Sequence, residues 1–218
     1  GQFSEPLNSS VGLVVDGVDL SGIGTTATLF DVEQVEVLRG PQGTLYGANA
    51  LTGLVNVTTA APSDALFASL RNRHLGRDDT NARDEVTLRG KLAWQAADNR
   101  AWTFVAGRVE ADNGYDVFSL DNDRTTLSDA PGRDRQTTGY ASARLEWDLS
   151  PAVAFHGLAG VASSESDYGY DEDWTFDGFD PIGYSSTDRY LRERRTGSVD
   201  LRWLSGPAGR LFGDSTGW

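Results

Sequence analysis

The sequence contains no cysteine and no methionine, a single lysine and two histidines. The lack of cysteine excludes disulfides, thiolate nucleophiles and cysteine-ligated metals. The histidines, His74 and His156, fall on different predicted strands with no second ligand at metal spacing, and neither has a catalytic triad that can be assembled around it. We therefore expect no enzyme activity, no bound metal and no cofactor.

Long apolar runs are also missing, since no stretch approaches the roughly 18 residues that a membrane helix needs. Membrane β-strands give a much weaker signal because only alternate residues are apolar, so insertion through strands stays open. The formal net charge is −13 at pH 7. Such an acidic chain repels phosphate backbones, and nucleic acid is not an expected partner.

The composition changes near Pro62. Before it, β-forming residues and glycine dominate and Arg39 is the only base, whereas charged residues are dense after it. We expect two domains, residues 1–62 and 63–218. Strands are predicted in the first domain at 11–18, 32–38 and 55–59.

The second domain shows apolar or small residues at every second position from Glu85, from Tyr140 and from Gly197. This period predicts two-faced strands. Further strands are expected at 66–75, 101–110 and 152–162, and a seventh is expected from Arg210. The predicted links alternate between short ones, at about 96–100, 149–152 and 204–209, and long ones, at about 111–138 and 163–190. Short turns at one end and long loops at the other are typical of an outer-membrane barrel.

Three tryptophans, Trp94, Trp147 and Trp203, lie on the apolar phase just before a short link. In a membrane barrel they would form part of the aromatic girdle at the headgroup level. The alternative is that they are core residues of a soluble β-sandwich.

The stretch from Phe30 to Gly47, FDVEQVEVLRGPQGTLYG, and the segment LVNVT at 54–58 resemble the plug signature of TonB-dependent receptors. VVDGV at 14–18 resembles the plug strand that ends in an Asp-Gly turn in this family. The resemblance covers about residues 11–62. Gln34 and Ala48 depart from it, because the family commonly has a basic residue at each. The residues that carry the match are Asp16, Gly17, Asp31, Glu33, Glu36, Arg39, Gly40, Pro41, Gly43, Tyr46, Gly47, Asn49 and Gly53.

In a plug, these residue types have a physical role. Glu33, Glu36 and Arg39 would present charge to the polar inner wall of a barrel, and Arg39 could make a bidentate contact with a wall carboxylate. The alternative for these charges is simple solvent exposure. Val32, Val35 and Val37 are expected to supply a small apolar core.

The resemblance implies a mostly β fold: part of a small α+β plug domain followed by an incomplete antiparallel transmembrane β-barrel of about six or seven strands. It implies a protein of the bacterial outer membrane, with TonB, outer-membrane lipid and a small-molecule ligand, a metal chelate, as partners. The family takes up scarce nutrient complexes, most often ferric siderophores, and cobalamin, haem and saccharides are also known ligands.

Two features of the family are missing from the sequence. There is no N-terminal TonB box, and six or seven strands are far fewer than the roughly 22 of plugged transporters. The chain is therefore expected to be truncated at both ends.

The segment from Glu165 to Asp188 is rich in acidic and aromatic residues and has no lysine or arginine. We hypothesise that it is an exposed loop that binds ligand through Tyr168, Tyr170, Asp171, Asp173, Trp174 and Phe176. The alternative is that its aromatics pack against neighbouring loops or the outer aromatic girdle. Simple Coulomb attraction does not favour an anionic ferric complex at such an acidic loop.

Other motifs are weaker. Residues 22–27 fit a G-x-G-x-x-A pattern, but a strand rather than a helix follows. Residues 121–123 and 171–173 are acidic clusters that could hold a cation, although most such runs are solvated loops. A non-transporting outer-membrane β-protein or adhesion module, and a soluble β-rich carbohydrate-binding or hydrolytic domain, remain alternative classes.

Overall fold

The computed structural model describes residues 11–23, 30–41, 50–62, 66–75, 82–115, 118–120 and 125–206. Across those ranges no helix is long and apolar enough to span a membrane. The described chain forms ten strands: β1 (Val11–Val15), β2 (Val18–Asp19), β3 (Val32–Arg39), β4 (Gly53–Thr59), β5 (Leu66–Leu75), β6 (Arg83–Ala97), β7 (Arg100–Gly114), β8 (Arg133–Ser150), β9 (Val153–Asp171) and β10 (Thr187–Ser205). The prediction of a mostly β fold is confirmed.

The first four strands form one mixed sheet, hereafter the plug sheet, in the order β2-β1-β4-β3. β1 runs parallel to β4, and the other pairs are antiparallel. The single strand predicted at 11–18 is broken at Asp16 and Gly17, whose φ angles are 47° and 83°. Two consecutive left-handed residues form a tight turn, which aspartate and glycine tolerate better than other residues. The chain therefore reverses and returns as β2.

The core of the plug sheet is built by β1, β2 and β4, with Val15, Val18 and Val57 fully buried. The prediction that Val35 and Val37 belong to this core is wrong, since they are 51% and 64% exposed. Their strand, β3, is an edge strand: among the described residues it pairs with β4 alone, so its outer side has no described neighbour in the sheet.

The remaining six strands form a second sheet, hereafter the wall sheet, in the order β10-β9-β8-β7-β6-β5. Each strand pairs antiparallel with the next one along the chain, as the meander predicted. β8, β9 and β10 are longer than expected, so the two long links shrink to 115–132 and 172–186. The ladder between β9 and β10 continues as far as Asp171 and Thr187, which explains the shorter link. The seventh strand expected from Arg210 lies outside the described residues.

In the wall sheet the polar face is covered and the apolar face is exposed, which is the reverse of a soluble protein. On β6 the polar side chains Glu85, Thr87, Arg89 and Lys91 are all 7% exposed or less. The alternate residues Leu88, Leu92 and Trp94 are 38% to 55% exposed. The polar face is covered because the plug sheet lies against it, with β2 contacting β8, β9 and β10.

Candidate functional site

The central contact between the two sheets is a buried ion pair. The Lys91 ammonium lies 3.4 Å from the Asp16 carboxylate, and the two side chains are 8% and 7% exposed. Lys91 also donates to the Thr59 carbonyl at 3.0 Å. Asp16 accepts from the Thr59 amide at 3.0 Å and from its hydroxyl at 2.6 Å. The desolvated charges are therefore surrounded by hydrogen bonds, which a buried pair requires.

Arg89 makes the second plug–wall contact and is only 1% exposed. Its Nε donates to the Tyr140 hydroxyl at 2.9 Å on the wall. One of its terminal nitrogens donates to the Phe30 carbonyl at 3.0 Å, and the guanidinium lies 4.8 Å from the centroid of the Phe30 ring. The residue thus bridges the wall to the chain just before β3.

The sequence reasoning singled out Asp16 but missed Lys91 and Arg89. A signal was present, because both occupy the polar phase of β6 and Lys91 is the only lysine of the chain. On the far side of the interface the Thr196 hydroxyl donates to the Asp19 carbonyl at 2.7 Å. The wall therefore holds the plug through polar groups and plug backbone, and also through an apolar cluster in which Val105, Tyr140 and Ala162 pack with the plug core.

The charged signature residues lie on or beside β3. Asp31 has a positive φ of 57° and forms the turn into the strand. Glu36 accepts from the Asn56 side-chain amide at 2.9 Å, so it serves the plug sheet rather than the wall. Glu33 and Arg39 are exposed, and no described carboxylate pairs with Arg39. Its expected contact with a wall carboxylate stays a prediction.

The signature glycines shape the end of β3. Gly40 has a φ of 87° and its amide donates to the Thr52 carbonyl at 3.1 Å. A Cβ on Gly53 would come within 2.9 Å of the Leu38 carbonyl oxygen, so this close pairing requires glycine. Pro41 follows as an exposed residue. Gly43, Tyr46, Gly47 and Asn49 lie outside the described residues.

The three tryptophans of the expected girdle lie on the outer face of the wall sheet, near the short links. Trp94 and Trp203 are 55% and 57% exposed, and Trp147 is half-buried. The Trp203 ring lies 4.9 Å from the ring of Phe155, and the Arg100 guanidinium lies 5.5 Å from the Trp147 ring. The tryptophans are therefore not the core of a soluble sandwich.

The expected ligand loop is only partly a loop. Tyr168, Tyr170 and Asp171 lie on β9, which corrects the prediction, because the ladder with β10 extends to Asp171. The ring of Tyr168 lies 4.9 Å from that of Tyr115 and 6.2 Å from that of Tyr190. The Tyr168 ring thus packs against rings at neighbouring strand ends, and a role of these residues in ligand binding stays a prediction.

The link between β9 and β10, residues 172–186, contains the other three residues proposed for ligand binding. The Trp174 ring stacks on Phe118 at 4.9 Å, whereas Phe176 is 46% exposed. Asp173 accepts hydrogen bonds from the Thr175 hydroxyl at 2.6 Å and the Ser186 amide at 2.7 Å, and these bonds lower the pKa of its carboxyl. This acid thus orders the link. Among the described residues, no group of three His, Cys, Asp or Glu side chains could hold a metal ion.

Comparison with known proteins adds to this geometry. Residues 2–54 match the family model of the TonB-dependent Receptor Plug Domain. The pesticin receptor of Yersinia pestis is 32% identical over 144 residues, which cover 66% of this chain and 20% of the receptor. The vitamin B12 transporter BtuB of Vibrio vulnificus is 30% identical over 162 residues, which cover 72% of this chain and 24% of the transporter. The chain thus spans about a fifth to a quarter of the length of these relatives.

A solved structure shows the same fold. The ferric yersiniabactin uptake receptor FyuA from Yersinia pestis superposes with a TM-score of 0.69 at 20% sequence identity, covering 92% of this chain and 37% of that one. The plug family model, these relatives and a plug sheet seated on the polar face of an antiparallel wall together show that the chain belongs to the TonB-dependent receptors of the bacterial outer membrane.

Proposed function

We propose that the protein to which this chain belongs carries out TonB-dependent active uptake of a scarce nutrient complex across the outer membrane. The observation that supports this most directly is the inverted wall sheet, which has its polar face under the plug and its apolar face exposed. Barrels of about 22 strands enclose a lumen wide enough to need a plug. A plug that fills such a lumen must move or be remodelled before a ligand can pass.

The division of the chain follows from the same proposal. The strands change from the plug sheet to the wall sheet between Thr59 and Leu66. We assign residues 1–62 to the C-terminal part of the plug and 63–218 to the first strands of the barrel. Trp94, Trp147 and Trp203 then lie at the periplasmic headgroup level, on the side of the short links.

The plug–wall contacts suit a plug that is held firmly but can be displaced. The apolar part of the contact, where Val105 and Ala162 pack with the plug core, is kept closed by hydrophobic burial, because separation exposes apolar surface to water. The Asp16–Lys91 pair and Arg89 behave differently, since water can hydrate their charges once the sheets separate, which recovers much of the desolvation cost of burying them. TonB is the proposed partner that supplies the pull.

The proposed ligand is a ferric siderophore. Two relatives support this choice by name, the ferric enterobactin receptor PirA of Pseudomonas aeruginosa, which is 28% identical, and the ferric yersiniabactin uptake receptor. The vitamin B12 transporter supports cobalamin as the second candidate. The acidic link at 172–186, which has no base, also favours a neutral ligand over an anionic one. Haem and saccharides are further family ligands.

Uptake by the full-length receptor in its own bacterium tests the proposal. Cells with and without the receptor gene, and with and without TonB, would be given radiolabelled ferric yersiniabactin, ferric enterobactin, haem and cyanocobalamin. We expect one probe to enter only when both genes are present. Uptake of a probe that requires the receptor gene but proceeds normally without TonB would refute the proposal. A receptor that transports none of the probes would favour a non-transporting surface protein.

The link at 172–186 has its own test. If Trp174 contacts ligand, Trp174→Ala should reduce uptake of the transported probe by about twofold to tenfold, because a stacking contact of about 0.5–1.5 kcal/mol would be lost. Tyr190→Ala, which removes a packing ring on β10 near the same end of the sheet, is the matched control. Unchanged uptake in Trp174→Ala would leave packing on Phe118 as the role of this ring.

A further inference from the structure

The turn between β1 and β2, formed by Asp16 and Gly17, contacts three strands of the wall. The Lys91 ammonium of β6 lies 3.4 Å from the Asp16 carboxylate. The Ser142 hydroxyl of β8 donates to the Asp16 carbonyl at 3.3 Å. The third contact, with β9, is made at glycine and apolar residues rather than by polar side chains. The turn is therefore held by groups from several wall strands at once.

Glycine on each side allows the contact with β9. A Cβ on Gly160 would lie 3.3 Å from the Gly17 carbonyl oxygen and 3.4 Å from the Val18 Cα, and both of these atoms belong to the plug backbone. A Cβ on Gly17, whose φ of 83° already favours glycine, would overlap the Leu158 side chain. Backbone atoms cannot rotate away as the end of a flexible side chain can. The plug and the wall thus approach each other here more closely than side chains at both positions would allow.

The wall residues that meet the turn belong to one cross-strand row. Successive partners from β6 to β10 make up this contact row: Lys91, Val105, Ser142, Gly160 and Ser198. On the same face of β9 the neighbouring positions are Leu158 and Ala162, so β9 has no side chain at the contact row and has one at the row on either side. A plug shifted by one row, about 7 Å, would meet one of those side chains. The contact row therefore accepts the turn at one depth.

A polar cavity lies beside the turn, on the side of the short links. Its volume is about 790 Å³, and its lining includes Asp16 and Gly17 of the plug and Arg144, Glu146 and His156 of the wall. These three wall residues lie one or two rows nearer the short links than the contact row does. The plug and the wall are therefore separated by open space on this side, and that space ends at the turn.

We propose that Gly160 sets the depth of the plug and keeps the lumen closed to ions and small solutes along β8 and β9. A side chain at this position would hold the turn away from the wall and would move Val18 out of its packing with Val105 and Ala162. The cavity would then extend past the turn along the polar face of the wall. Gly160 is thus a positioning residue, which acts through the turn and contacts no ligand. The inference rests on the proposed role of the plug as a movable stopper, and it does not depend on which ligand is transported.

Conductance of the purified full-length receptor in planar lipid bilayers tests the proposal. We expect Gly160→Val to raise the fraction of time spent conducting about tenfold or more, because overpacking destabilises the seated plug. Gly160→Ala should lie between this variant and the unaltered receptor, since its Cβ requires only a small movement of the plug backbone. Gly139→Val is the matched control, because it adds the same side chain to the outer face of β8, where a Cβ meets nothing within 4 Å. It should conduct as the unaltered receptor does.

A disulfide tests the seated position itself, because the sequence has no cysteine of its own and any cysteine elsewhere in the full-length receptor can be replaced by serine. The Val18 Cα lies 3.4 Å from the Cβ position at residue 160, so the two Cα atoms are at most about 5 Å apart, which a disulfide can span. Val18→Cys/Gly160→Cys should therefore form a disulfide, whereas Val18→Cys/Gly139→Cys should not. The cross-linked receptor should stay closed in the bilayer and should regain TonB-dependent uptake only after reduction.

Equal conductance of Gly160→Val and the unaltered receptor would overturn the proposal, and so would a leak of the same size in Gly139→Val. An inserted Val18→Cys/Gly160→Cys receptor that forms no disulfide would also overturn it. If Gly160→Val does not insert into membranes, Gly160→Ala and the disulfide decide. The uptake function is judged separately: uptake that continues in the cross-linked receptor would count against a moving turn, but would leave Gly160 as the residue that seats it.

Discussion

Replacing Lys91 by methionine should loosen the plug from the wall, because it removes the cation and leaves the Asp16 carboxylate buried. The ion pair is 3.4 Å long and both side chains are at least nine-tenths covered. Breaking a buried pair from one side costs about 3–5 kcal/mol. The cost should lie at the lower end of this range, about 3 kcal/mol, because the Asp16 carboxylate still accepts its two hydrogen bonds from Thr59.

That free energy corresponds to a shift of about a hundredfold in the ratio of docked to separated plug. Hydrogen exchange of the full-length receptor follows it at two plug amides beneath the wall, the Asp16 amide bonded to the Val57 carbonyl and the Thr59 amide bonded to the Asp16 carboxylate. Both amides should exchange about a hundredfold faster in Lys91→Met if opening of this contact limits their exchange.

The double variant Asp16→Asn/Lys91→Met is the control. Asparagine tolerates the positive φ of residue 16 and removes the unpaired charge, so much of the lost protection should return. The reasoning fails if Lys91→Met leaves both exchange rates within about twofold of those of the unaltered receptor, or if the double variant is less protected than Lys91→Met.

Three further outcomes are expected. Gly107→Val should destabilise the receptor by about 1–3 kcal/mol in urea unfolding, because a Cβ at this site overlaps the Tyr140 ring; a wild-type midpoint would contradict this. Val199→Arg should reduce insertion into the outer membrane, since an arginine at mid-bilayer on the lipid face costs about 2–4 kcal/mol. Leu191→Arg, at the charged rim of the same face, is the control and should insert normally. Equal insertion of the two variants would argue against a lipid-facing surface. Because the pKa of Asp173 is lowered, its carboxylate stabilises the 172–186 link above the ordinary aspartate pKa, and this stabilisation is lost as pH falls through the lowered pKa. Proteolysis of the link should therefore rise in acid. Asp173→Ala should show the same rise at neutral pH.

The amino-acid sequence by itself determined the strand pattern and the face pattern. Alternation of side chains across a strand is local, so the period from Glu85 and from Tyr140 was enough to separate an apolar face from a polar one. The turn at Asp16 and Gly17 was indicated only by the resemblance to the plug family, because the β-forming pattern alone predicted one strand through 11–18. The plug signature determined the family because its residues are contiguous in the chain.

The tertiary structure alone decided which distant groups meet. Asp16 and Lys91 are 75 positions apart, and no periodicity relates a turn in one sheet to a polar face in another. Whether a strand lies at the edge of a sheet also depends on residues far along the chain. Because β3 lies at an edge, Val35 and Val37 are exposed, although their β-branched side chains predict a core strand. The length of β9 depended on its ladder with β10, which moved Tyr168 from a loop to a strand. Local chemistry therefore specified the strands and their faces, and packing between the sheets selected the partners that hold the plug.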